Sequence, residues 1–240
     1  MNKLMDKVAI VTGSGSGIGR AIALALANEG VKVVNCGRRE EKVSQTVEII
    51  HKVGGTGIAI RADISLPEDI DRIVQTTIDQ FQRIDILVNN AGIAEGSLIH
   101  ESDIQSWDRV MATNLRAVFL TARRVLPIMR QQQSGHIINI SSESSLEHYH
   151  GETIYGTSKH ALNDFSEYMQ RENQPYHIRV NTICPGMVVT EMTEHEDGLD
   201  HNKCLDPEDI AELALWLLTR RPNIKIGTPI LIQTMLNPWE

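Results

Sequence analysis

The sequence predicts a doubly wound α/β fold: seven parallel strands in one sheet, with helices on both faces. Two observations carry this expectation. Short, continuous Val/Ile/Leu runs alternate with longer segments of helical period from end to end, and runs without polar interruption suit strands covered on both sides. Regular β–α alternation then implies parallel strands joined by right-handed crossovers.

Val8–Val11 reads as the first strand, followed by a helix from about Ile18 to Asn28 that stops at Gly30. Residues 31–34 form the second strand, and a polar helix over about 40–52 ends at Gly54-Gly55. The third strand covers 58–61. Pro67 opens a helix to about Phe81, consistent with proline in a first helical turn. Residues 85–88 make strand four, and a long helix over about 107–132 leads to strand five at 136–140. A helix over about 155–173 precedes strand six at 178–183. The last helix runs from near Pro207 to Leu218, and Ile230–Ile232 is strand seven. No repeat, low-complexity tract or Pro/Ser linker interrupts this order, so residues 1–240 are expected to form one domain. Ligands of such a sheet collect at the carboxyl ends of its strands.

Composition narrows the function classes. The apolar fraction of 41% and charged fraction of 22% are those of a folded domain rather than a disordered one. With 23 basic and 31 acidic residues the net charge is −8, which disfavours a nucleic-acid partner. Aromatic residues at 4% also disfavour base stacking. No apolar run reaches the roughly 18 residues of a membrane helix, and Asp6 and Lys7 break any signal-peptide pattern at the N-terminus. Cys36, Cys184 and Cys204 are odd in number and lack a CxxC, as expected of a reducing, cytoplasmic setting.

Three groups of residues carry chemistry. Thr12-Gly13-Ser14-Gly15-Ser16-Gly17-Ile18-Gly19 follows strand one and opens directly into a helix. Backbone N–H groups at such a helix start favour a phosphate, and side chains there would block its approach. A tight turn is the ordinary alternative, but the position between strand and apolar helix favours a dinucleotide. Strand two ends in Gly37-Arg38-Arg39 with no acid before Glu40. An acid there would hold ribose hydroxyls, whereas an arginine accepts a 2′-phosphate, so NADP(H) is favoured over NAD(H). Arg38 is the better candidate for a bidentate contact, with Arg39 beside it. Two solvated arginines at a helix start are the alternative.

Tyr155 and Lys159 lie four residues apart and share a helix face. A tyrosine titrates near ~10, and a neighbouring ammonium is expected to lower that by roughly 1–3 pH units. The phenol would then exchange protons near neutrality. An ordinary surface pair is the alternative. Ser141-Ser142 follow strand five and Asn89-Asn90-Ala91-Gly92 follow strand four, so both arrive at the same sheet edge.

Together these residues resemble the short-chain dehydrogenase/reductase family in its single-domain branch, a Rossmann-type fold. The matches are Thr12-Gly13 with Gly17-Ile18-Gly19, Asp63-Ile64, Asn90-Ala91-Gly92, Asn114, Ser142, Tyr155 with Lys159, and Pro185-Gly186 followed by Thr190. They cover about residues 5–220 in the family's order. The resemblance implies that Tyr155 donates a proton to a substrate carbonyl while Ser142 hydrogen-bonds the same oxygen. Lys159 would depress the tyrosine pKa and bind the nicotinamide ribose, and Asn114 would anchor a proton-relay water. Gly13, Ser16, Gly17, Ile18 and Gly19 would cradle the pyrophosphate side. Asp63 and Ile64 would border the adenine, and Asn90, Ala91 and Gly92 the ribose. Pro185, Gly186, Val188 and Thr190 would hold the carboxamide. It also implies a homo-oligomer, a dimer or tetramer, built through the helices at 107–132 and 155–173.

The expected reaction is NADP(H)-dependent interconversion of a carbonyl and a secondary alcohol on a small ketone, sugar or polyol. Reduction of a carrier-bound 3-oxoacyl thioester and non-catalytic dinucleotide sensing are the alternatives. His148, Met187 and Met192 are candidate substrate contacts. Glu143, Glu147 and Glu152 flank the serine loop in sequence and would repel an anionic substrate if they faced the cleft. Residues 190–206 form a short acidic segment where the family carries its substrate lid. The tail, 233–240, departs from the family's usual Asp-Gly-Gly ending, and Trp239 is a candidate subunit contact. No metal is expected, because the spacing of His148, His150, His195, His201 and Cys204 matches no zinc pattern.

Overall fold

The computed structural model describes residues 3–240. Its sheet comprises β1 (Val8–Thr12), β2 (Lys32–Gly37), β3 (Thr56–Arg61), β4 (Ile86–Asn89), β5 (Gly135–Ile140), β6 (Ile178–Pro185) and β7 (Ile230–Ile232). The strand order is β3-β2-β1-β4-β5-β6-β7, and every pairing is parallel. The order reverses between β1 and β4, so their carboxyl ends open a crevice where a ligand can enter.

The helices are α1 (Gly17–Asn28), α2 (Glu40–Lys52), α3 (Pro67–Phe81), α4 (Ile104–Met111), α5 (Ala117–Gln132), α6 (Thr153–Asn173) and α7 (Pro207–Leu218). The apolar residues of the central strands serve two cores at once. On β1, Ala9 and Val11 enter the core built with α1 and α7, while Ile10 enters the one built with α3, α5 and α6. On β5, Ile138 and Ile140 join the first core and Ile137 the second. This is the alternation of a pleated strand buried on both faces. Helix starts follow local chemistry. Pro67 occupies the first turn of α3, and Asp206 with Asp209 forms a capping box at α7.

One expected element divides. The helix read over about 107–132 begins at Ile104 and is α4 and α5 joined by a π-helical turn, Ala112–Arg116. A π turn inserts one residue without breaking the helix axis, so the apolar pattern hides it. Asn114 sits inside that turn.

The last eight residues fold back on their own chain. Thr234 Oγ1 donates to Lys203 O at 2.7 Å, Asp200 N donates to Pro238 O at 2.8 Å, and Lys203 Nζ donates to Glu240 O. Trp239 stays half exposed. Among the described residues, no helix is long and apolar enough to cross a membrane.

Candidate active site

The crevice between β1 and β4 is held open by glycines that tolerate no side chain. Gly13 (φ +68°) and Gly17 (φ +49°) sit in the left-handed region. A Cβ on Gly13 would lie 2.9 Å from Ala91 Cα, and one on Gly19 would lie 2.3 Å from Asn90 Nδ2. Asn90 is pinned there, because its Nδ2 donates to Thr12 O at 3.0 Å and to Gly13 O at 3.3 Å. Thr12 Oγ1 accepts from the backbone N–H groups of Asn90 and Ala91. The ends of β1 and β4 are thereby stitched together, and the start of α1 points bare backbone into the gap.

That gap is a cavity of about 880 Å³. Its walls bring together Gly13, Ser16, Gly17, Ile18, Arg38, Arg39, Asp63, Ile64, Asn90, Ala91, Gly92, Tyr155, Lys159, Thr190 and Met192. The volume and the side-chain-free turn fit a dinucleotide.

At the cavity's far wall, β5 ends beside α6. Lys159 is buried, and its Nζ donates to Ile140 O at 2.9 Å and lies 5.7 Å from the centroid of the Tyr155 ring. The Ser142 hydroxyl acts on the Tyr155 phenol, lowering its pKa against the effect of burial. Backbone order fixes the serine loop, since Ser142 Oγ accepts from Ser144 N at 3.2 Å. Ser141 Oγ donates to Lys159 O at 3.1 Å. Ser142, Tyr155 and Lys159 thus converge.

Their electrostatics differ from the expectation in one respect. The Tyr155 pKa is not depressed by Lys159; it is pushed up to about 12. Burial is the largest cause, the Ser142 hydroxyl opposes it, and Glu152, Cys184 and Glu143 add to the rise. Burial also pushes Lys159 down to about 8. Desolvation is the largest cause for both groups. At neutral pH the phenol therefore holds its proton firmly.

Several expected site residues lie off the cavity wall. Asn114 is buried behind it, with Oδ1 accepting from Ile93 N and Nδ2 donating to Ile93 O and to Ser158 Oγ. A Cβ on Gly92 would stand 3.3 Å from both Asn114 Oδ1 and Lys159 Nζ, so both side chains approach Gly92. Gly19 lies in the first turn of α1, against Asn90. Pro185 and Val188 are buried, and Gly186 N donates to Ile232 O at 2.8 Å, facing β7 rather than the cavity. Met187 O accepts from Leu205 N, and His148 is exposed on the loop before α6. Ser142 itself is not among the lining residues, although its neighbour Ser141 is. No group of three His, Cys, Asp or Glu side chains able to hold a metal occurs among the described residues.

The cavity also holds Lys42, Asp108 and Arg109, which the sequence reading passed over, and Glu191, read there only as one acid of the segment after Thr190. Arg39 Nη2 donates to Ser16 Oγ at 3.0 Å and to Glu191 Oε2 at 2.6 Å. Lys42 sits one turn after Arg38 and Arg39 on α2, a spacing that could have flagged it. Glu191 comes from a distant segment and no local pattern points to it. Arg38 lines the cavity without a hydrogen-bond or ion-pair partner among the described residues.

Comparison with known proteins agrees with this geometry. The family described as short chain dehydrogenase matches residues 7–198. The chain belongs to the short-chain dehydrogenase/reductase family. An uncharacterized oxidoreductase of Staphylococcus saprophyticus is 39% identical over 231 residues, covering 95% of this chain and 97% of that protein. An uncharacterized oxidoreductase of Staphylococcus aureus is 36% identical over 227 residues, with the same coverage. Among solved structures, a short-chain type dehydrogenase/reductase from Mycobacterium marinum is similar at a TM-score of 0.88 and 29% identity, covering 97% of this chain and 96% of its own. A 7α-hydroxysteroid dehydrogenase complexed with NADH and 7-oxo glycochenodeoxycholic acid has a TM-score of 0.89 and 28% identity, covering 97% and 94%. Family membership makes the protein an NAD(P)-dependent oxidoreductase, and the parallel seven-stranded sheet is the fold the sequence predicts.

Proposed function

We propose that this protein is an NADP(H)-dependent oxidoreductase that interconverts a carbonyl and a secondary alcohol on a small substrate, with Tyr155 as general acid and base. The observation that carries the reading is that Tyr155 and Lys159 share the wall of the glycine-lined cavity, with Ser142 acting on the phenol from one residue beyond the lining Ser141. When bound, the nicotinamide supplies or accepts the hydride. The chain's own residues place the reacting oxygen and move its proton. Ser142 Oγ and the Tyr155 hydroxyl donate to that oxygen and hold it in one pose. Tyr155 gives up its proton as negative charge develops there, and the Lys159 ammonium favours the phenolate that remains. Asn114, fixed by Ile93 and Ser158, supports Lys159 and the path for proton return.

Arg38, Arg39 and Lys42 favour a 2′-phosphorylated dinucleotide. They place three cations beside the end of β2, where an acid would serve unphosphorylated ribose. The steroid dehydrogenase that resembles this chain carries NADH in its structure; the arginine pair is the reason to assign NADP(H) here. Gly13, Ser16, Gly17 and Ile18 receive the pyrophosphate, Asp63 and Ile64 the adenine, Asn90 to Gly92 the ribose, and Thr190 the carboxamide. Residues 190–206 act as the substrate lid over a single catalytic domain, with Met192 at its inner edge.

Glu143 and Glu152 act on Tyr155 through their charge, so the substrate end of the site is negative. This favours an uncharged ketone, sugar or polyol over a carboxylate, and it weighs against an acidic acyl carrier. The retained serine, tyrosine and lysine weigh against a non-catalytic sensor. Ile104, Trp107, Phe119 and Tyr168 stand exposed along α4, α5 and α6, which favours assembly into a homo-oligomer through these helices. Trp216, Leu231, Met235 and Trp239 give a second exposed apolar set, as a tetramer needs. The free cysteines suit a reducing, cytoplasmic setting.

The test is NADPH oxidation over matched carbonyl pairs that differ only in a carboxylate. Turnover of the neutral members at about 10-fold or more the rate of the anionic ones is expected. Absence of turnover across ketones, aldehydes and sugars would count against the reading.

A further inference from the structure

The mechanism gives Glu191 no task, yet it stands in the nucleotide cavity. Its Oε2 accepts from Arg39 Nη2 at 2.6 Å and its Oε1 from Lys42 Nζ at 3.0 Å. The same Arg39 nitrogen donates to Ser16 Oγ at 3.0 Å. One carboxylate therefore joins the glycine turn, the start of α2 and the segment that follows β6, across 152 residues of sequence. The pairing is not a stability device. Arg39 and Lys42 keep 58% and 41% of their side chains exposed, and exposed pairs of this kind contribute little.

What the pair does is occupy donors. A guanidinium and an ammonium that grip two carboxylate oxygens offer the same donors that a phosphate monoester would take. The two cations hold the Glu191 carboxyl down to about 2, so it is an anion at any working pH and the contact is not a pH switch. Arg38 remains without such a partner beside it. The three cations are thus divided into one open donor set and two that already hold an anion.

We propose that Glu191 is a specificity-determining residue that competes with the 2′-phosphate of the cofactor for Arg39 and Lys42, weakening 2′-phosphorylated nucleotides selectively. This rests on the NADP(H) reading above. Binding of the phosphate requires the carboxylate to give up its contacts, and the cation pair cannot serve both anions in full. The opposite role is equally concrete: a carboxylate that positions Arg39 for the phosphate would strengthen the same binding. The two roles predict effects of opposite sign.

The experiment is calorimetric titration of adenosine 2′,5′-bisphosphate and of adenosine 5′-monophosphate into the wild-type protein and Glu191→Gln, with Glu191→Ala as a second variant. Neither ligand reaches the catalytic wall, so the readout is independent of activity. The expected result is a wild type that prefers the bisphosphate. Both variants should bind it about 3–10-fold more tightly, with the monophosphate changed less than about twofold. Unchanged or weaker bisphosphate binding in the variants, with the wild-type preference intact, overturns the competitor role and leaves the NADP(H) reading standing. A wild type without preference for the bisphosphate overturns both.

Discussion

At the scale of single residues, the site is a set of unequal environments built from ordinary side chains. Tyr155, partly buried and under the charge of Glu152 and Glu143, keeps its proton, whereas the fully buried Lys159 is brought within reach of losing one. The sequence shows the spacing of this pair but not its desolvation, because burial depends on β5 and the serine loop closing over α6. The expected fall of the tyrosine pKa was therefore read with the wrong sign. Arg38 is the simplest residue to test. It lines the cavity and has no competing partner among the described residues. Arg38→Ala should weaken NADPH by about 10–100-fold, the effect of one or two charge-assisted hydrogen bonds, and NADH by less than about threefold. Fluorescence titration of both cofactors reads the two numbers, and equal losses would place the phosphate contact elsewhere.

At the scale of elements, the carboxyl ends of β1 and β4 set the geometry. Asn90 and Thr12 bind the two strand ends, and the turn between β1 and α1 fits only because its glycines carry no Cβ. Gly19→Ala would force a methyl against Asn90 Nδ2 and Gly13 O. We expect at least about tenfold weaker dinucleotide binding from it, by displacement of the turn. A titration indistinguishable from wild type would contradict this packing. Strand identity and order of elements were legible because Val8–Val11 is an unbroken apolar run and His136–Ile140 and Ile178–Ile183 are rich in β-branched residues. The ends were less so. β2 continues to Gly37 and β6 to Pro185, where pairing with β3 and β7 outweighs local pattern. The π turn holding Asn114 left no trace in the apolar periodicity. Glu191 was invisible for a related reason, since its role depends on a contact with Arg39 formed only in the folded chain.

At the scale of the whole molecule, stability and site share the central strands. His136 on β5 is buried with Nε2 2.8 Å from Asn181 Oδ1. Burial first, then the Arg179 charge, hold its pKa down to about 3, against the opposing Asn181 hydrogen bond. The folded protein thus refuses a proton that the unfolded chain accepts near an ordinary histidine pKa of about 6.5. Stability is full above that value and falls as pH drops toward about 3, by up to about 1.4 kcal/mol per pH unit. Urea midpoints at about pH 7 and about pH 5 should therefore differ, and His136→Gln should flatten the difference. A wild-type midpoint that stays level across this window would show that His136 is charged or hydrated in the fold.

The most direct measurement of the central claim uses Tyr155→Phe. The variant removes one hydroxyl and leaves the cavity, Lys159 and the glycine turn in place. NADPH binding followed by cofactor fluorescence should stay within about twofold of wild type, while single-turnover hydride transfer to an accepted ketone falls by about 10²–10⁴-fold. Hydride transfer at the wild-type rate would contradict the assignment of the phenol as the proton donor.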